Sequence, residues 1–339
     1  MNRLTESCTA PRGLTPLAQR ATDRRAFLRT GIATFAAAVL AHEENSRAES
    51  APPGIIDCHT HFYDPTRAQG VPWPSSKDSV LYKPSLPAHL RKVTEGLGIT
   101  GTVVIEASEW IEDNQWLLDL AKDDPFILGI IGRLHPGEAN FSDNLRRFAA
   151  NPLFRGIRVN NDLVTARRNE PQFIADLKRF ADTGLTLDIN CQLPMLAEMA
   201  RIAADIPALR IVVDHLPPDT AALAMNRGLY LDVLGKFAAR PGVFIKVSHV
   251  ARRNAASIIT DPEFYRPEFD ELWKRFGPDR LIYGSNWPVI ELVAPFATAL
   301  KIVRDYFATK GTEGSAKFFA GNSRTAYGWK SRTVTGALK

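Results

Sequence analysis

The chain has 339 residues, of which 45% are hydrophobic and 23% are charged, which are the proportions of an ordinary globular protein. Its formal net charge is +5, but residues 1–50 hold seven basic and five acidic residues, so only +3 remains on the rest. A balance this weak gives no support to a nucleic-acid-binding surface, and we expect no nucleic-acid partner.

The N-terminal region has the pattern of an export signal. In "TDRRAFLRTGIATFAAAVLA", Arg24 and Arg25 precede an apolar run over residues 32–41. About ten apolar residues are too few to span a bilayer. The stretch resembles a twin-arginine signal, although Asp23 stands where Ser or Thr is usual.

This resemblance implies recognition by the twin-arginine export machinery and a periplasmic or otherwise exported protein. The alternative is a basic amphipathic tail or an uncleaved anchor. Small residues predict cleavage after Ala41 or Ala48. We therefore interpret residues 1–50 as signal and linker, 51–330 as one folded domain, and 331–339 as a tail.

Beyond residue 53, short β-branched runs alternate with amphipathic helical patterns. Such alternation predicts parallel strands joined by helical crossovers. Eight units over about 280 residues predict an α/β fold, a closed (β/α)8 or TIM barrel. The alternative is a doubly wound open sheet, which usually has a glycine-rich phosphate loop after its first strand, and this sequence has none. The predicted strands are Gly54–His59, Gly101–Ala107, Phe126–Arg133, Arg155–Asn160, Leu185–Asn190, Arg210–Asp214, Val243–Ser248 and Arg280–Ser285. The predicted helices are Pro87–Leu97, Trp110–Lys122, Asn140–Ala150, Pro171–Asp182, Pro194–Asp205, Gly228–Ala239, Pro262–Phe276 and Glu291–Phe307, with a closing helix after Gly311.

The connection over residues 62–86 is unusually long for a compact domain, which indicates a functional segment. Its aromatic residues Trp73 and Tyr82 predict an ordered lid over the barrel mouth. The alternative is a loop that packs on a neighbouring subunit. The cysteines Cys58 and Cys191 lie on strands that we place far apart, so we expect no disulfide between them.

The first predicted strand ends in "IIDCHTH", with Asp57, His59 and His61 at alternate positions. Strand periodicity predicts that these three side chains face the barrel interior while Cys58 and Thr60 face the helices. Catalytic groups of such barrels lie at the C-terminal ends of the strands. Two imidazoles there can bind one metal ion or one substrate group.

Other predicted strands also end in polar side chains, which are the remaining candidate site residues. Arg158 in a core-like run requires an anionic partner, either a substrate carboxylate or an acid such as Asp188. After the seventh strand we expect Ser248 to point inward in preference to His249. The candidates are His135, Arg158, Asp188, Asn190, His215, Ser248 and Asn286.

The motifs "IIDCHTHFYDP", "FRGIRVN", "LDINC", "LRIVVDHL", "FIKVS" and "RLIYGSNWP" follow one another in an order that resembles the amidohydrolase-related TIM-barrel hydrolases. Within that family the chain is most similar to the lactonase branch, which includes fuconolactonase and 2-pyrone-4,6-dicarboxylate lactonase. The resemblance implies that His59, His61 and His215 bind one divalent ion, Zn or Mn, or contact the substrate directly without a metal. It also implies that Arg158 binds an acid or carbonyl oxygen.

Asn286 departs from the family pattern, because the family's "GSDWP" has an aspartate there that acts as general base. An amide has no titrating group near neutral pH and cannot take a proton from water. Three interpretations follow: His215 or His135 is the base, a metal ion held by His59 and His61 activates the water, or the barrel binds without turnover.

The sequence therefore predicts an exported hydrolase that opens a lactone or related cyclic ester of a sugar acid. The alternatives are a decarboxylase of an aromatic or muconate acid, against which Asn286 argues, and a catalytically weak sugar-acid-binding barrel. Catalysis is assigned to four of the candidates and substrate binding to five others. The catalytic residues are His215, Asn286, His59 and His61, and the substrate-binding residues are Arg158, His135, Asn190, Ser248 and Trp73.

Overall fold

The computed structural model describes residues 54–218, 220–255 and 257–332. Eight parallel strands follow one another around a single sheet in chain order, and a two-stranded hairpin is inserted before the last of them. The predicted (β/α)8 barrel is confirmed. The barrel strands are β1 (Ile55–Thr60), β2 (Ile99–Ile105), β3 (Ile127–Gly132), β4 (Phe154–Asn160), β5 (Thr186–Asn190), β6 (Arg210–Leu216), β7 (Val243–Ser248) and β10 (Leu281–Gly284), and the hairpin consists of β8 (Arg252–Asn254) and β9 (Ser257–Ile259).

Helices connect successive strands, and several of them begin with a proline, which needs no backbone partner in the first turn. They are α1 (Pro87–Val93), α2 (Asp113–Lys122), α3 (Phe141–Ala149), α4 (Asn161–Arg167), α5 (Pro171–Ala181), α6 (Leu193–Ala204), α7 (Thr220–Ala238), α8 (Pro262–Phe276), α9 (Phe296–Ala308), α10 (Gly311–Ala316) and α11 (Asn322–Tyr327). None of the helices in the described part of the chain combines the length and apolar character needed to cross a bilayer.

Two elements of the fold were not predicted from the sequence. Helix α4 begins directly after β4, where the Asn160 side chain accepts a hydrogen bond from the Leu163 amide at 3.0 Å and so caps the helix. The hairpin β8–β9 follows β7. Both are shorter than the patterns that periodicity can recognise.

The barrel closes between β1 and the segment that follows β10. The Asn286 amide donates to the His59 carbonyl and the His61 amide donates to the Trp287 carbonyl, each at 2.8 Å. The Asp57 carboxylate accepts from the amides of Ser285 at 2.8 Å and His59 at 3.1 Å. Asp57 is therefore a residue of the closing seam, which explains one of the three polar side chains of the first strand.

The strict alternation that we predicted for β1 is wrong in part. The β1–β2 register shifts between Asp57 and Thr60. Cys58, expected to face the helices, packs instead in the inner apolar cluster with Ile56 and Tyr327. A register shift lets neighbouring residues keep the same face, and periodicity alone does not reveal it.

The C-terminal segment covers the end of the barrel where the strands begin. The backbone carbonyl of Ala326 accepts from Thr186 at the start of β5 and from Arg210 at the start of β6. Arg332 donates to the carbonyls of Ala121 and Ile127. Polar groups at the opposite end of the strands are therefore left to form a site. The predicted export signal lies outside the described residues.

Candidate active site

Two cavities open where the barrel strands end. A polar cavity of about 410 Å³ is lined by His61, Trp73 and Arg158, together with Asn286 and other residues. A second cavity of about 750 Å³ adjoins it, and His215 lies in the walls of both. The two spaces therefore form one site with two compartments, to which we refer as the polar cavity and the apolar cavity.

The three histidines predicted to act together are neighbours. The ring of His59 lies 5.0 Å from that of His61 and 4.3 Å from that of His215, measured between ring centroids. His59 is completely buried, and neither of its ring nitrogens has a hydrogen-bond partner among the described residues. Burial is the largest cause that lowers the pKa of His61 and His215, each to about 3, so these rings are neutral at neutral pH.

The hydrogen bonds of His61 determine its tautomer. Its Nδ1 lies 3.0 Å from the Ile105 carbonyl oxygen, so Nδ1 carries the proton and donates it. Nε2 then has a lone pair, and it lies 3.1 Å from Oδ1 of Asn286, while Nδ2 of that amide lies 3.1 Å from Nδ1 of His249. Two acceptors would face each other in this orientation. We therefore assign the amide with its nitrogen toward His61 and its oxygen toward His249.

Three site residues have a left-handed backbone. Among the described non-glycine residues only four have positive φ, and three of them are His215 (58°), His249 (53°) and Asn286 (67°). Each follows or ends a different barrel strand. Such conformations are strained for residues with a Cβ, and they occur preferentially at functional sites.

Ser248 points into the site as expected, and His249, which we did not favour, lines it as well. Ser248 Oγ lies 2.9 Å from Nδ1 of His215 and accepts from the His215 amide at 3.2 Å. His249 meets Asn286 and lines the apolar cavity. The left-handed turn at His249 directs its side chain inward directly after an inward-facing serine.

A basic wall closes one side of the polar cavity. Arg158 donates through Nε to the Glu106 carboxylate at 2.8 Å and through a terminal nitrogen to the Glu106 carbonyl at 2.9 Å. Arg133 donates to the same carboxylate at 3.3 Å. Two guanidinium groups share the Glu106 carboxylate, so these three side chains carry a net charge of +1, while the exposed Glu109 borders the same cavity.

His135 lies behind this wall. Its Nε2 accepts from Nε of Arg133, and its Nδ1 lies 3.3 Å from Glu138, while neither cavity includes His135 in its lining. Its predicted contact with substrate therefore has no direct geometric basis, and its position is that of a support for Arg133. Asn190, by contrast, lies in the walls of both cavities.

The expected pairing of Arg158 with Asp188 is wrong. The long arginine side chain extends to the rim and meets Glu106, whereas the short Asp188 carboxylate remains inside the barrel. There the ammonium group of Lys246 lies 2.7 Å from Asp188 and 2.9 Å from Asp214. Tyr327 donates to Asp188 at 2.9 Å. These four residues connect the barrel interior to the site.

The charges of this buried group stabilise one another. Burial disfavours the ammonium group, but the two carboxylates outweigh it and raise the pKa of Lys246. Burial likewise disfavours ionised Asp214, but Lys246 and His59 hold the pKa of that carboxyl well below its usual range. Burial raises the pKa of Asp188. Asp214 is therefore the ionised carboxylate nearest to the histidines.

His59, Asp214 and His215 have the geometry of a possible metal centre, since one ligand atom of each lies within 4.8 Å of the others. Two imidazoles and a carboxylate form a ligand set that suits zinc or manganese. The ring nitrogens of His59 and Oδ2 of Asp214 have no hydrogen-bond partner among the described residues, and Nδ1 of His59 lies 3.6 Å from Oδ1 of Asp214, so these atoms are available to coordinate one ion. The residues present thus fit a divalent ion. His61, predicted as a ligand, is absent from this cluster, and Asp214, which we did not single out, belongs to it.

The long connection after β1 covers the polar cavity. Tyr63 and Ser85 exchange backbone hydrogen bonds at 2.9–3.0 Å, and the Tyr63 hydroxyl donates to the Leu81 carbonyl. The Trp73 ring lies 6.0 Å from that of His61 and lines the cavity. Tyr82 is exposed and lines neither cavity, because its side chain projects from the outer side of the loop.

The amidohydrolase family model matches residues 56–329 of this chain, which include the whole barrel. The chain belongs to the amidohydrolase family. An L-fucono-1,5-lactonase of Burkholderia ambifaria is 27% identical over 249 residues, which cover 71% of this chain and 82% of that protein. An L-fucono-1,5-lactonase of Burkholderia multivorans is 24% identical over 263 residues, covering 73% and 86%.

Solved structures of amidohydrolases have the same fold. An amidohydrolase of Burkholderia multivorans with bound zinc superposes with a TM-score of 0.70 at 22% identity, covering 81% of this chain and 99% of that one. At this identity the superposition supports the fold of the present chain and leaves its chemistry to be argued from its own residues.

Proposed function

We propose that this chain hydrolyses a lactone or related cyclic ester of a sugar acid. The observation that carries the proposal is the convergence of His61, Arg158, His215 and Asn286 on one polar cavity at the C-terminal ends of the strands. The L-fucono-1,5-lactonase relatives support a lactone as the substrate class. Hydrolysis requires a proton acceptor for water and a group that stabilises the oxyanion, and the cavity offers both.

His215 is the proposed proton acceptor. Its Nδ1 is engaged by Ser248, so Nε2 is the ring atom left to act. Burial lowers the pKa of the ring to about 3, so it is neutral at neutral pH and its lone pair is available to a proton from the attacking water; the Asp214 carboxylate, which acts to raise that pKa, stabilises the imidazolium that forms. The same nitrogen then returns the proton to the ring oxygen that leaves.

The basic wall stabilises negative charge. Arg158 and Arg133 share the single carboxylate of Glu106, so these three side chains carry a net charge of +1. Such preorganised charge lowers the energy of a tetrahedral oxyanion, or binds a substrate carboxylate, more effectively than water does. Trp73 covers the cavity and provides an apolar face for the substrate ring.

Asn286 orients the water. In the family pattern an aspartate takes a proton at this position, and the amide cannot do so. Its two ends are fixed by His61 and His249, so it can hold a water or a substrate hydroxyl without titrating. Catalysis at this position therefore relies on positioning, and proton transfer falls to His215.

The alternative to a base at His215 is a divalent ion, which His59, Asp214 and His215 would hold; Nε2 of His215 would then be a ligand, and the activation of water would fall to the ion. The zinc in the related Burkholderia multivorans structure supports this assignment. Such an ion supplies Lewis acidity that polarises a carbonyl or lowers the pKa of a bound water. The test is metal analysis of the purified protein together with the Tm measured with and without added Zn²⁺. We expect a rise in Tm with zinc that Asp214→Asn removes and Asp232→Asn, at an exposed aspartate, retains.

A lactone panel followed by acid release tests the activity. The panel contains five- and six-membered lactones of hexonic and deoxyhexonic acids. We expect His215→Ala to abolish ring opening, whereas His89→Ala, at an exposed histidine of α1, serves as the matched control. Activity that survives in His215→Ala would show that another group accepts the proton. Carbon dioxide release from aromatic acids would instead indicate a decarboxylase, and a rise in Tm with sugar acids without turnover would indicate a binding protein.

We also propose export through the twin-arginine pathway, on the basis of Arg24 and Arg25. Fractionation of cells that express the full chain should locate the protein in the periplasm. Arg24→Lys with Arg25→Lys should retain it in the cytoplasm at unchanged charge. Equal distribution of the two proteins would contradict the proposal.

A further inference from the structure

The second cavity is not needed for a small lactone. Ligand sites commonly measure ~300–1,000 Å³, and the polar cavity alone has about 410 Å³. A six-carbon sugar-acid lactone therefore fits beside Arg158 without entering the apolar cavity. Asp214 and His215 border the adjoining cavity of about 750 Å³ at its catalytic end, and the apolar remainder of that cavity has no assigned role.

The walls of this second cavity are mainly apolar. They come from α6, the end of β6, α7 and the segments that follow β7 and β10. The guanidinium of Arg252, which also borders it, donates to the carbonyls of Pro217 and His249. The apolar wall includes Leu193, Leu196, Leu216, Tyr230, Ala251 and Val293.

The two cavities are continuous at the catalytic residues. His215 and Asn190 line both of them, and His249 of the apolar cavity contacts Asn286 of the polar one at 3.1 Å. A ligand that places its ring carbonyl beside His215 therefore has one side toward Arg158 and the other toward the apolar cavity. Only a substrate with an apolar portion uses both sides.

We propose that the substrate is a lactone whose ring carries an apolar alkyl or aryl substituent, and that the apolar cavity binds this substituent. The proposal rests on the proposed lactone hydrolysis and specifies its substrate class. The ring and its polar groups occupy the polar cavity, where Arg158 and Trp73 contact them. The substituent extends past His215 toward Leu193 and Val293.

The test compares δ-valerolactone with its 5-alkyl derivatives from methyl to heptyl, using acid release. Each buried methylene should raise kcat/KM about fourfold until the cavity is filled. Leu193→Trp and Val293→Trp fill the cavity from two sides, and both should flatten this dependence on chain length. Because Leu193 and Val293 are only partly buried, a larger side chain is compatible with folding. Leu229→Trp, at an exposed leucine of α7, is the matched control and should keep the dependence.

The outcomes separate this proposal from the proposed function. If δ-valerolactone or sugar lactones are opened but the alkyl series is flat, the substrate class is wrong and lactone hydrolysis stands. If no lactone is opened, lactone hydrolysis fails, and calorimetry with the corresponding 5-hydroxyalkanoic acids decides the role of the cavity. Affinity that rises with chain length and is lost in Leu193→Trp supports it, and affinity independent of length overturns it.

Discussion

Lys246 occupies an unusual position, because its ammonium group is fully buried between two carboxylates. It lies 2.7 Å from Asp188 and 2.9 Å from Asp214, and none of the three side chains is exposed to solvent. Substitution by methionine keeps the length and flexibility of the side chain and removes its charge. We predict that Lys246→Met strongly destabilises the barrel at neutral pH.

The magnitude follows from the charges left behind. Removal of one partner from a buried ion pair costs about 3–5 kcal/mol, because the remaining charge is uncompensated. Here the ammonium leaves two carboxylates, so we expect the upper part of that range. The corresponding fall in Tm is roughly 6–15 °C for a domain of this size.

The loss should depend on pH with a definite sign. Without Lys246, burial raises the pKa of both Asp188 and Asp214 above the unfolded values. A group with a raised pKa in the folded state is destabilising above that pKa, and the loss disappears as pH falls toward the unfolded value near 4. The variant should therefore recover stability between pH 7 and about pH 5, relative to the unmodified protein.

Urea unfolding at both pH values measures this effect. Lys236→Met is the matched control: its ammonium lies 2.7 Å from Asp232, but both side chains are more than half exposed, so the pair contributes under about 1 kcal/mol. Asp188→Asn added to Lys246→Met should restore part of the stability. A loss below about 1 kcal/mol in Lys246→Met, or one that is equal at both pH values, would refute the reasoning.

Three further predictions concern the polar cavity. Asn286→Asp should lower kcat/KM roughly 5–150-fold, since a carboxylate presents only acceptors to His61 and His249 and leaves Nε2 of His61 without a donor. A faster enzyme would instead show that an aspartate at this position acts as the general base. Arg158→Met should lower kcat about 10²–10³-fold in steady-state assays of lactone opening. A change confined to KM would show that the guanidinium contributes only to substrate binding in the ground state. Trp73→Ala should raise KM about 2–10-fold with little effect on kcat, and an unchanged KM would exclude Trp73 from contact with the substrate ring.

The barrel and its catalytic end were predictable from local patterns. Periodicity places apolar residues on alternate faces of each strand, and helices follow with proline in the first turn, so element order is encoded in short segments. The polar residues His59, His215 and Asn286 stand at strand ends, and the barrel topology is enough to bring such ends together. The prediction was wrong for one face of β1, where a register shift places Cys58 inside the barrel.

The sequence did not predict which acidic side chain pairs with which basic one, because the pairing depends on how far each side chain extends across the barrel. Glu106 and Lys246 each interrupt an apolar strand run, and that interruption was the available signal. Which acid meets which base depends on depth: Arg158 reaches the rim and Glu106, and Lys246 reaches Asp188 in the interior.

The sequence by itself determined the fold, the order of its elements and the rim on which the polar residues assemble, since each follows from the hydrophobic period and from the ends of individual strands. Only the tertiary structure decided that His59, Asp214 and His215 form one cluster and that a second cavity adjoins it. These features arise from distances between residues on different strands, which are set by register, strand tilt and the packing of loops over the barrel end, and no local pattern contains those distances.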